Sequence, residues 1–308
     1  MRFRRKISTV AMAIAVLATA ACSNNDATGA QAADTGLPST LIDVQSAVDP
    51  ALKAMFPTDI QTSGVLQVAT DPNYPPSAFK NSAGTIIGVG ADFTAAITAK
   101  TGLRFKWVEV PFDGMLGGLQ AKRFDASWSA WSVTPARTQV LNLVTYLQGG
   151  TSALVKAGNP KGIKTSLDLC GLTVAAQSGT VQAQTDMDSL QKQCTAAGKA
   201  KITAMLLPQQ TNVNQSVSTG RAAAMLADNT AVAYQAQLQP DLFQSVATIL
   251  LRPSADGIAI RKDDLQLAKA LSATYNALIA DGTYAKILAR WNISNSAVTK
   301  SEINPVTP

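Results

Sequence analysis

Arg137 stands in SWSAWSVTPARTQ, residues 127–139, and after Asp125 the chain carries no Asp or Glu until Asp168. A guanidinium presents five donors in a rigid planar fork that suits a carboxylate, and Ser127, Ser129 and Ser132 just before it add hydroxyls. With no acid near it in sequence, the carboxylate it suits is one that arrives with a ligand; a distant surface acid such as Asp113 or Asp125 is the competing partner. A cleft that holds a carboxylate at one end needs an acid for an ammonium at the other. Asp228, in LADNTA after the apolar AAAMLA, meets that need, although Asp is also a good helix N-cap. In AAQSGTVQAQT a strand, a Gly turn and a helix start follow one another, and free helix N-terminal amides favour an anion. Ser178, Gly179 and Thr180 are therefore candidates for the far side of the same carboxylate, with ordinary capping as the alternative. Tyr74 (TDPNYPPSAFK) and Phe112 (WVEVPFDGM) each follow a strand-like run and offer aromatic walls for a small aliphatic chain.

Other chemistries lack their residues. The chain has no histidine, which excludes a Ser-His-Asp triad and a His-ligated metal, and no carboxylate pair stands out for acid-base work. Neither a metal nor a cofactor is expected. Cys170 and Cys194 in an exported chain meet an oxidising compartment and are expected to form a disulfide. A zinc site would lack ligands.

Export is read from the first residues. Arg2, Arg4, Arg5 and Lys6 precede ISTVAMAIAVLATAA, residues 7–21, an apolar run shorter than the roughly 20 residues of a membrane span. Cys22 follows Thr-Ala-Ala, which resembles a lipoprotein signal of residues 1–22 with acylation at that thiol; cleavage without lipidation is the alternative. Removing residues 1–22 leaves 22 basic residues (26 less 4) against 20 acidic, a net charge of +2, so the basic balance of +6 gives no argument for nucleic acid as a partner. Residues 23–60 read as a tether followed by short helical pieces around Pro50 and Pro57.

The elements that must position these residues alternate. VLQVAT (65–70), a helix from Ala91 ended by Gly102, LRFKWVEV (103–110) and MLGGLQAKR form one series, closed by the strand DASWSAW. LTVAA (172–176), a helix from about Thr180 to Ala197, ITAMLL (202–207), the polar QQTNVNQSVSTG, AAAMLA (222–227) and a helix from about Asn229 form a second. Such alternation implies an α/β fold with largely parallel sheets. Two further helices close the chain, one from an N-cap at Asp263 to Ala280 and one around TYAKILARW. At 308 residues two lobes are expected: residues 61–151 with 253–308 as lobe 1 and 152–252 as lobe 2, joined by two linkers that act as a hinge.

In order along the chain, DPNYPPSAFKNSAGTIIGVGADF, FDGMLGGLQAKRFDA, SVTPAR, VAAQSGT, LAD, GIAIRKDD and DGTYAKILARWNI give a sequence that resembles the family 3 solute-binding proteins of ABC transporters for polar amino acids, over Val65 to about Ile293. The resemblance implies a two-lobed type II periplasmic binding protein fold closing on a free amino acid. It implies Arg137 on the α-carboxylate, Asp228 on the α-ammonium, hydrogen bonds from Ser129 and Ser132, Thr180 with Gly179 as the second lobe's carboxylate contact, and Tyr74 and Phe112 as walls of the side-chain pocket. Asp71 takes the position that touches a distal cation in binders of basic amino acids. Gly90 departs from the family's Asp, and Trp131 replaces a smaller residue and is expected to reshape the pocket. The implied partners are a free amino acid, an ABC permease and, through Cys22, the outer face of the cell membrane, with the protein acting as a monomer. A dehydratase-like enzyme on the same fold is the alternative, and a receptor's ligand-sensing domain a third.

Overall fold

The computed structural model describes residues 37–305; the expected signal, Cys22 and the first part of the tether lie outside the described residues. The described chain opens with α1 (Pro50–Ala54) and α2 (Thr58–Ser63), the short helical pieces expected around the two prolines. Asp49 caps α1 by accepting the amides of Ala51 and Leu52, and Pro50 takes the first position, where its missing N–H costs nothing. Phe56 and Ile60 anchor the pair in the core.

Strand β1 (Val65–Thr70) runs parallel to β5 (Arg104–Glu109) and β6 (Ala126–Ser132). The short β2 (Asn73–Tyr74), β3 (Ala78–Lys80) and β4 (Ile86–Ile87) form a separate antiparallel sheet. Between β4 and β5 lies α3 (Val89–Thr101), which Gly102 ends in the left-handed region at φ 70°, where glycine carries no Cβ penalty. α4 (Met115–Gln120) precedes β6, and α5 (Pro135–Val140) separates β6 from β7 (Leu141–Lys156). β8 (Thr173–Gln177), α6 (Met187–Ala196), β9 (Thr203–Leu207), α7 (Gln210–Ser218), β10 (Ala224–Asp228) and α8 (Asn229–Leu238) repeat the alternation. β11 (Phe243–Arg261), α9 (Leu265–Ala280) and α10 (Thr283–Arg290) complete the chain.

The large sheet has the order β5-β1-β6-β11-β7-β10-β8-β9. Its ends are two parallel triplets; its centre is the antiparallel pair β7 and β11. These strands are 16 and 19 residues long, or about 50–60 Å at roughly 3.3 Å per residue, enough to serve both triplets. Leu141–Gly149 pairs with Ser254–Arg261, whereas Ala153–Lys156 pairs with Phe243–Val246; between them the register shifts twice. Two apolar clusters gather residues before Ala153 and after Leu251, and two gather residues between. The result is two α/β lobes joined by two strands. Tyr74, Tyr234 and Leu238 are the exceptions, each packed against the opposite group of side chains.

Two expectations are corrected, and one polar segment proves to be helical. QQTNVNQSVSTG contains α7, whose inward face is Val213 and Val217 with Gln210 and Ser216, a stripe too polar to stand out in the sequence. The N-cap of α9 is Asp264, which accepts the Leu267 amide at 3.1 Å; Asp263 instead faces Lys122 at the surface. The helix expected from Thr180 begins as a π-helical turn, Gln182–Asp186, before α6. Cys170 and Cys194 form a disulfide with Cα atoms 5.6 Å apart, clipping the segment before β8 to α6.

Candidate ligand-binding site

In the first lobe the site begins where β1 ends. Asp71 donates its amide to Ser129 Oγ at 3.3 Å, and its carboxylate accepts the amide and Nδ2 of Asn73. β6 supplies Ser129, Ala130 and Ser132. Strand alternation would put Ala130 beside Trp128, away from Ser129; instead Ala130 adopts φ 46° and lines the cavity, while Trp128 sits in the core. Left-handed backbone at alanine costs about 1 kcal/mol. Trp131 stays on the side of Ser127, to which its indole N–H donates at 2.9 Å.

Arg137 is carried by α5, whose start is set by Thr134 accepting the Arg137 amide and by Pro135 at the first position. Its guanidinium donates to the Ser132 carbonyl at 3.1 Å and lies 4.8 Å from the Trp131 ring centre and 5.7 Å from that of Phe112. Trp131 therefore shapes the site from behind the arginine and does not line the cavity. Arg137 forms no ion pair with Asp113, Asp125 or any other acid among the described residues. Burial pulls its pKa down to about 10, partly offset by Asp228, so it stays charged at neutral pH.

The second lobe contributes Gln177 at the end of β8, then Thr180, Val181 and Gln182, and Asp228 at the end of β10. Asp228 takes the N-cap position of α8, yet its side chain makes no capping bond. It turns to the cleft instead, where Oδ2 accepts the Tyr74 hydroxyl at 2.8 Å and Oδ1 accepts Gln182 Nε2 at 2.7 Å. Burial pushes its pKa above the ordinary carboxylate range, against those bonds and the charges of Arg252 and Arg137. Thr180 does cap: its hydroxyl accepts the Ala183 amide at 3.2 Å while donating to the Gln177 carbonyl. The Ser178 amide is spent on the Leu207 carbonyl, and Ser178 does not line the cavity. Nor does Gly179, which lies at the lobe-to-lobe contact; a Cβ there would come within 2.9 Å of Asp113 Cβ.

Twelve residues thus line one narrow cavity of about 10 Å³, about the room one water needs, and they include Asp71, Tyr74, Phe112, Ser129, Ser132, Arg137, Thr180 and Asp228. The walls meet across it through Tyr74 on Asp228 and through Gln177 Nε2 on Asp71 at 2.7 Å. Gln177 and Gln182 were missed in the sequence, although Gln177 ends a strand just as Asp71 and Asp228 follow or end theirs. Also missed was Asp256 on β11, 3% exposed, whose pKa burial and the Asp228 charge raise well above the usual value. A buried carboxylate pair therefore exists where the sequence shows none, because β10 and β11 bring together residues far apart in the chain. Among the described residues no group of three metal-ligating side chains assembles, and no helix is long and apolar enough to cross a membrane.

A cavity between two lobes, with a cation and an acid facing it, is the setting for a ligand. The profile of bacterial extracellular solute-binding proteins, family 3, matches residues 66–294. The chain belongs to that family. The arginine-binding protein ArgT of Corynebacterium glutamicum is 30% identical over 83% of this chain and 83% of its own length. Among solved structures, an ancestral arginine-binding protein bound to arginine is 27% identical, with a TM-score of 0.65 over 74% of this chain and 98% of that one. The ancestral amino acid-binding protein AncCDT-1, described as a precursor of cyclohexadienyl dehydratase, is 31% identical, with a TM-score of 0.67 over 76% of this chain and 97% of its own. This family member has the two-lobed solute-binding fold, and its relatives are amino acid-binding proteins.

Proposed function

We propose that this protein captures a free polar amino acid between its lobes and delivers it to an ABC permease. The observation that carries the reading is Arg137, a charged guanidinium in the cleft with no acid of its own, facing the cavity that Asp228 enters from the other lobe. A ligand α-carboxylate completes the first and an α-ammonium the second. Ser129, Ser132 and Thr180 add hydrogen bonds, and Tyr74 and Phe112 flank the side chain. Asp71, buried at one end of the cavity, supports a ligand whose side chain carries donors; with the arginine-binding relatives, that makes L-arginine the first ligand to test. Titration calorimetry across the standard L-amino acids is expected to find micromolar binding or tighter, about −8 kcal/mol. Arg137→Ala is expected to abolish it, and unaltered affinity in that variant removes the carboxylate clamp.

Lobe 1 is residues 61–151 with 253–308 and lobe 2 is 152–252, the boundaries falling where the β7–β11 register shifts. Closure about that hinge holds the ligand. The protein works as a monomer, exported and held at the outer face of the cell membrane through Cys22; Cys22→Ala should free it into the medium, and retention in that variant rejects the anchor. The likeness to AncCDT-1 keeps one rival in play, a dehydratase on this fold. Product formation from prephenate or arogenate would favour that enzyme.

A further inference from the structure

We propose that Asp256 is a second ammonium-holding acid of the cleft, which with Asp228 and the Asn229 side-chain oxygen accepts the three N–H donors of the ligand's protonated primary amine. This rests on the amino acid-binding reading and adds a subsite to it. Asp256 lies opposite Ser132, a cavity residue, in the β6–β11 register. No Lys or Arg among the described residues pairs with it. Arg252, the nearest cation on its own strand, is taken by Asp186, with Nε 3.0 Å from Oδ1.

The second acceptor comes from Asn229, next to Asp228. Its Oδ1 is buried and has no hydrogen-bond partner, a state that costs roughly 1–3 kcal/mol unless something donates to it. Both oxygens converge on Gly149 in β7: a Cβ at that position would lie 2.9 Å from Asn229 Oδ1 and 3.1 Å from Asp256 Oδ2. The two acceptors are therefore no further apart than the sum of those distances, both lying over the β7 backbone. The absence of a side chain at Gly149 lets both oxygens pack this close to the β7 backbone, and a side chain there would push them away. The three acceptors would prefer a primary ammonium, with three donors, over a hydroxyl or a methylated amine.

The groups that act electrostatically on Asp256 or bond to it are Asp228 from β10, Arg137 from α5, Tyr146 from β7, Tyr74 from β2, Ser132 from β6 and Arg252 from its own strand. Burial and Asp228 favour its neutral form in the empty cleft. An ammonium between the acids cancels their repulsion, so binding releases a proton, and affinity rises with pH across the window between the free and bound values.

The test uses the full protein, with L-arginine and the tightest-binding other standard L-amino acid as probes, each beside its α-hydroxy analogue. Asp256→Asn is expected to weaken amino acid binding by about 10- to 100-fold while leaving the hydroxy acid's affinity unchanged. Calorimetry in two buffers of different ionisation enthalpy should find proton release in the wild type and less in the variant. Gly149→Ala should block the same subsite, giving a second reading if Asp256→Asn folds poorly. Amino acid binding within about threefold of wild type in Asp256→Asn, with proton release unchanged, overturns this proposal alone. A wild type that binds no amino acid overturns the underlying reading as well.

Discussion

Buried charge at single residues gives this site both its purpose and its cost. Asp228 and Asp256 sit where water cannot solvate them, and burial raises both above 3.8, their ordinary value. The sign for stability follows: between that value and the raised ones the folded protein holds more protons than the unfolded chain, so stability falls as pH rises through the window. Asp256→Asn removes one of the two acids. The ligand-free variant is expected to melt above wild type at pH 7, with the gap closing near pH 4, and a gap constant with pH would count against a raised Asp256. At another residue, Gly90 has little room for a side chain. A Cβ there would lie 3.1 Å from Trp128 Cδ1 and 3.2 Å from its Nε1, so the indole has taken the space a side chain would need.

At the scale of elements, the turn Gln182–Asp186 joins the ligand end of the second lobe to the connecting strands. Its first residue holds Asp228, and its last holds Arg252 on β11 and Thr151 on β7. The loop before it, at Gly179, meets the first lobe at Asp113. Gly179 has φ 78°, and a methyl group added there both strains the backbone and props the lobes apart. Gly179→Ala is expected to lower ligand affinity by about tenfold or more while lowering the melting temperature of the ligand-free protein by about 2–4 °C, the cost of the strained backbone. Calorimetry and thermal melts check the two halves; unchanged affinity would show that closure does not bring Gly179 onto Asp113.

For the whole molecule, two cores must hold their shape while the gap between them changes. The second has help from the Cys170–Cys194 disulfide, which spans 24 residues of sequence and packs at that lobe's centre. Constraining a loop of this size in the unfolded chain stabilises by about 3–4 kcal/mol. Cys170→Ala with Cys194→Ala should lose about that much in urea unfolding and keep ligand affinity, since neither residue lines the cavity. Saturating ligand, at about 100 times its Kd, should add about 2.7 kcal/mol to both forms by mass action.

Local patterns in the chain were enough for much of this protein. Short β-branched runs ended by Gly or Pro marked β1, β5, β8 and β9, and the apolar AAAMLA marked β10, because strand and turn preferences act over a few residues. The same runs pointed to Tyr74, Phe112 and Asp228, since ligands collect at the carboxyl ends of strands, whereas Asp71 came from the family resemblance. Arg137 stood out because no acid lies near it in sequence. Only the tertiary structure decided that β7 and β11 run unbroken through both lobes, because Gly149, Gly150 and Pro253 interrupt their patterns and the pairing across them is long-range. It also decided that Ala130 turns into the cavity, that Ser178 turns away, and that Asp256 joins Asp228, for the field at a buried carboxylate depends on neighbours that folding alone assembles.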